Sequence, residues 1–106
     1  MRAEAERPEW IARCEQIELL QRDVLAKLGA SIDADYAARA SEYLDHNELG
    51  LAIETILMAV AGSGTAVDDV TGAAIDRAAH EMHGEEGLWR LPVDRLVERL
   101  IEKGFT

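Results

Sequence analysis

Apolar residues recur at steps of three and four through most of this chain, and nowhere do they alternate with polar ones long enough to suggest a strand. The spacing predicts five helices. The first runs from about Pro8 to Gly29, with Trp10, Cys14, Ile17, Leu20, Val24 and Leu28 on one stripe. Proline suits a first helical turn and glycine suits a stop. A turn over Ala30 to Asp33 leads into a second helix ending near Leu44, with Ile32, Tyr36, Ala40, Tyr43 and Leu44 inward. Asp35 and Arg39, four apart on its outer face, have the spacing of a helix-stabilising ion pair.

The third segment carries the strongest local pattern. Asp45 is read as a helix N-cap, with Glu48 reaching back as in a capping box and Leu44 and Leu49 forming a hydrophobic staple. Leu49, Ile53, Ile56, Leu57 and Val60 then form an apolar stripe, which Ala-Gly-Ser-Gly at 61–64 ends. Gly50 weakens a first turn and is expected to admit a close backbone approach. Thr65 and Asp68 repeat the capping-box spacing and open a fourth helix, with Val67, Val70, Ala74, Ile75, Ala78 and Met82 inward and a close near Gly84. Its small residues, Gly72 among them, suit close packing at some cost in helix stability. Residues 85–91 read as a loop holding Trp89. Pro92 starts the last helix, with Val93, Leu96, Val97, Leu100 and Ile101 inward and Phe105 folded back on Leu100 after Gly104. The chain therefore reads as one all-α domain over residues 1–106, a bundle of about five helices.

Composition supports that reading and narrows the function. With 106 residues, 48% of them apolar, the chain suffices for one hydrophobic core. A single cysteine, Cys14, excludes an internal disulfide or a cysteine-based zinc site, and its place on the buried stripe suits a small hydrophobe. Twenty-one acidic against eleven basic residues give a net charge of −10, which repels nucleic-acid phosphates and suits a basic protein partner. The N-terminal residues lack the apolar core of a signal peptide and no run is long enough to span a bilayer, so a cytoplasmic location without membrane contact is expected.

No catalytic set can be assembled from the sequence. His80 and His83, three apart, miss the spacing of the zinc-protease motif and have no third ligand; they read as solvent-facing groups near a helix C-terminus. His46 has no nucleophile to serve, and no serine sits in a strand-to-helix elbow. The paired carboxylates, Asp68 with Asp69 and Glu85 with Glu86, lie at a helix start and in a loop where water keeps them ordinary. No enzyme activity, metal or cofactor is expected.

The run Tyr43-Leu44-Asp45-His46-Asn47-Glu48-Leu49-Gly50-Leu51-Ala52-Ile53-Glu54 resembles the helix-corner motif of the MafI-type immunity proteins of bacterial polymorphic toxin systems, with Leu49 where that group often has an aromatic. The resemblance implies an antidote that binds and neutralises a cognate toxin, often a nuclease, through contact with a basic toxin domain. Candidate partner-binding residues are Asp45, His46, Glu48, Glu54 and Trp89, with Glu54 expected to be solvated. The alternative expectation is a generic helical interaction or regulatory module, a homodimer included.

Overall fold

The computed structural model describes residues 9–64, 66–84 and 87–102. It is all-α. The helices are α1 (Glu9–Leu28), α2 (Ala34–Asp45), α3 (Leu49–Ser63), α4 (Asp69–His83) and α5 (Val93–Glu102), with single 3-10 turns at Gly29–Ser31 and Leu88–Arg90. Among the described residues there is no strand.

Helix α3 is the centre of the bundle, touching α1, α2, α4, α5 and the Leu88–Arg90 turn. Its sequence explains this: Glu54 is the one charged residue between Leu49 and Ser63, so the helix has no polar face to turn to water. Nine of its fifteen residues are buried, including Leu49, Ile53, Ile56, Leu57 and Val60 of the expected stripe. The buried hydroxyl of Thr55 is satisfied by donating to the Leu51 carbonyl at 2.8 Å.

Helix α1 packs chiefly on α4, and also on α3 and α2, and buries Ile17, Gln21, Val24 and Leu28. Gln21 is fully buried, and its side-chain amide donates to the Leu49 carbonyl at 3.0 Å, fastening α1 to the first turn of α3. Trp10, expected inward, is 65% exposed, because the N-terminal turns of α1 stand away from the α2–α3 corner across a groove.

The corner itself corrects the sequence reading. Asp45 is the last residue of α2 and caps nothing; Glu48 is the N-cap of α3 but makes no side-chain cap hydrogen bond. The chain turns instead by a Schellman closure at the end of α2. The Glu48 N–H donates to the Tyr43 carbonyl at 2.8 Å and the Asn47 N–H to the Leu44 carbonyl at 3.1 Å, with Asn47 left-handed at φ 59°. Leu44 and Leu49 are both buried on either side of this turn. Since asparagine holds a conformation that glycine adopts without steric cost, Asn47→Gly is expected to raise stability by about 0.5–1 kcal/mol. The urea midpoint should rise at unchanged slope; a fall would show that the Asn47 side chain contributes more than its backbone geometry.

Other departures follow from helix registers. Asp68, not Thr65, is the N-cap of α4, accepting from the Thr71 N–H at 2.7 Å; Thr65 lies outside the described residues. That cap hydrogen bond holds the Asp68 carboxyl below its usual pKa. The buried face of α4 then runs through Thr71, Gly72, Ile75, Ala78 and Ala79. Val70, five residues before Ile75, is turned away from that face and is 67% exposed. Helix α5 leans chiefly on α3 through Leu96 and Leu100, leaving Ile101 54% exposed where it was expected inward. Phe105 lies outside the described residues. Arg39 lies over the Tyr36 ring at 5.9 Å, and among the described residues no ion pair joins it to Asp35.

The loop expected at 85–91 contains the Leu88–Arg90 turn, and it is well anchored. The Gly87 N–H donates to the Asp76 carboxylate of α4 at 2.8 Å, and Leu88 is buried. Trp89 lays its indole on Gly72: a Cβ built there would lie no more than 2.8 Å from Cε2, Cζ2 and Cη2 of the ring. The close approach expected of Gly72 is thus made by a side chain rather than by another helix. Arg90 stacks on the ring at 4.6 Å.

Candidate protein-binding site

The five candidate residues separate into two groups. Asp45, His46 and Glu48 are all exposed and sit together at the α2–α3 corner, whose backbone hydrogen bonds fix where they stand. Glu54 and Trp89 are elsewhere. Glu54, expected in solvent, is 5% exposed within α3, and burial pushes its carboxyl pKa up to about 8. Trp89 is half-buried against Gly72, with its indole nitrogen enclosed and making no hydrogen bond to the described residues.

The corner is tied to α1 by one guanidinium. Arg22 Nη2 meets Asp45 Oδ1 at 2.9 Å and Glu18 Oε2 at 2.9 Å, while its Nε donates to the same Glu18 oxygen at 3.0 Å. These contacts are partly exposed, so they orient the corner more than they stabilise the fold. His46 donates from Nδ1 to the Glu42 carbonyl at 2.9 Å; that hydrogen bond, helped by the charges of Glu42, Glu48 and Asp45, raises its pKa above the usual histidine value.

Two adjoining hollows flank this corner and share Cys14 and Asn47 as lining. One, of about 470 Å³, lies between α1 and the corner and is reached by Trp10, Glu15 and Glu18. The other, of about 380 Å³, is floored by Leu49, Gly50 and Leu51 of α3 and closed by Met82 of α4. The face therefore combines apolar floor with carboxylate rim. Cys14, expected in the core, is half-buried at the join and still packs against the core cluster.

Among the described residues no group of three or more histidine, cysteine or acidic side chains is placed to hold a metal, and no helix is long and apolar enough to cross a membrane. Comparison of the chain with protein-family models, with curated proteins and with solved structures finds no match.

The sequence pattern placed Trp10 and Met82 on inward helix faces rather than at a groove, and singled out neither Gln21 nor Leu51. Gln21 carried a signal: Cys14, Ile17, Gln21, Val24 and Leu28 follow steps of three, four, three and four, so the polar residue occupies a core position. The groove carried none, because its lining comes from separate helices that only tertiary packing brings together.

Proposed function

We propose that this protein is an immunity protein that binds a basic toxin domain and neutralises it without chemistry of its own. The observation that supports this best is the corner, where the residues resembling the MafI-type motif place Leu44, Leu49, Ala52 and Ile53 in the core and Asp45, His46 and Glu48 at the surface beside an apolar groove. Such a face has the makeup of a recognition surface, apolar at its centre and charged at its rim. The net charge of −10 favours encounter with a cationic partner over pairing of two copies of the chain. This reading carries with it a cytoplasmic address, where the antidote meets toxin before or after delivery.

The test is co-expression of the tagged protein with the C-terminal domains of large secreted proteins encoded beside it. Stable co-purification together with rescue of growth is the expected result. A neighbouring domain that poisons cells and is neither bound nor neutralised would overturn the reading.

A further inference from the structure

We infer that the trough between α1 and the α2–α3 corner is the docking groove for a basic, amphipathic segment of the partner protein. This rests on the immunity reading and adds to it the surface used and the chemistry of the segment recognised. The two hollows lie side by side along this face, with Cys14 and Asn47 lining both, and measure about 470 Å³ and about 380 Å³; together they make up the trough. Its floor is apolar, built by Leu49, Leu51 and Met82, and Trp10 stands at its open end with 65% of its surface exposed.

Charge decides the occupant. Four carboxylates, Glu15, Glu18, Asp45 and Glu48, line the trough beside one guanidinium, Arg22, which bridges Glu18 and Asp45, while Glu15 has a further contact of its own. A second copy of this chain would bring carboxylates against carboxylates. An anionic membrane or nucleic acid would be repelled in the same way. A helix with leucine-like residues on one face and lysine or arginine beside them satisfies both floor and rim, in the manner of amphipathic helices that lie in apolar grooves. Gln21, buried and hydrogen-bonded to the Leu49 carbonyl, fastens α1 to the start of α3, so that the helices lining the trough are held together before anything binds.

The probe is a synthetic amphipathic helix of leucine and lysine, titrated into the full chain and followed by tryptophan emission and by calorimetry. Saturable binding with a blue shift is expected, absent for the same peptide with glutamate in place of lysine. Leu51→Gln and Trp10→Ala, which leave the charge unchanged, should each weaken binding roughly tenfold or more. Glu15→Lys with Glu48→Lys should do the same, and Asp94→Lys with Glu98→Lys on α5 should weaken it far less. Circular dichroism identifies any variant that has lost its fold; Trp10→Ala, at an exposed position, is the one that should keep it in full. Equal affinity of the Leu51→Gln, Trp10→Ala and unaltered proteins for the lysine peptide would overturn the inference, because attraction to net charge alone would then account for binding. A dimer in light scattering that Trp10→Ala converts to monomer would also overturn it, by making the trough an interface between copies. The growth-rescue assay separates the two readings. Toxin neutralised equally well by Leu51→Gln and Trp10→Ala leaves the immunity function standing and removes the groove; a trough that takes the lysine peptide selectively while a toxic neighbouring domain goes unbound does the reverse.

Discussion

Truncating Trp89 to alanine is expected to lower stability by about 3 kcal/mol, and to reverse the sign of a second substitution, Gly72→Ala. The indole fills a seat that exists because residue 72 has no Cβ; an added methyl would overlap three atoms of a rigid ring. In the unaltered protein Gly72→Ala should therefore cost about 1–3 kcal/mol, as overpacking in a close-packed interior does. In the Trp89→Ala background the ring is gone and only the intrinsic preference of helix α4 for alanine over glycine remains. There the same substitution should stabilise by about 1 kcal/mol. Against a total of about 5–15 kcal/mol for a domain, both effects are readily resolved as shifts in urea midpoint. If Gly72→Ala destabilises equally in both backgrounds, the ring is not what occupies the seat.

The second large effect belongs to Glu54, and it depends on pH. Below pH 4.5 the carboxyl is protonated in the folded and the unfolded chain alike, so its ionisation does not bias folding. Above 4.5 the unfolded chain releases the proton, whereas the buried group keeps it until about 8. Over that window each pH unit lowers stability by about 1.4 kcal/mol, and the loss levels off above it. Glu54→Gln, which keeps the shape of the protonated acid and cannot ionise, should match the unaltered protein near pH 4.5 and exceed it by about 3 kcal/mol at pH 7. Urea unfolding of both proteins across this range supplies the measurement. Two parallel stability curves would mean that Glu54 titrates normally in the fold.

The helices were legible in the sequence where one face alone is buried. Ile17, Val24 and Leu28 on α1 and Leu96 and Leu100 on α5 fall at helical spacing and are core residues in the structure. What misled was local ambiguity of chemistry. Asp45 and Glu48 have capping-box spacing, yet the same run contains Asn47, one of the few residues that tolerate a left-handed turn, and the closure at the end of α2 took precedence. Glu54 was misplaced because a carboxylate is normally assigned to solvent; its lack of any charged companion on α3 was the contrary sign. The exposed groups of the site were partly legible, since Asp45, His46 and Glu48 are neighbours in the chain. The trough was not, because Trp10, Leu51 and Met82 come from three helices that only tertiary packing brings to one place.

The backbone closure at the corner has a consequence for how such a protein diversifies. The turn from α2 into α3 is made by main-chain groups and by the left-handed Asn47, and the neighbouring leucines hold it to the core. The side chains of Asp45, His46 and Glu48 add only exposed contacts to it, Asp45 to Arg22 and His46 to the Glu42 carbonyl, and exposed substitutions of this kind usually shift stability by no more than about 0.5 kcal/mol. Within six consecutive residues, Leu44 to Leu49, the chain interleaves positions that fix its shape with positions that are nearly neutral to it. Under the proposed immunity role, a lineage pressed to follow a changing toxin would rewrite the second set, inverting charge or swapping hydrogen-bonding groups, while inheriting the first unaltered.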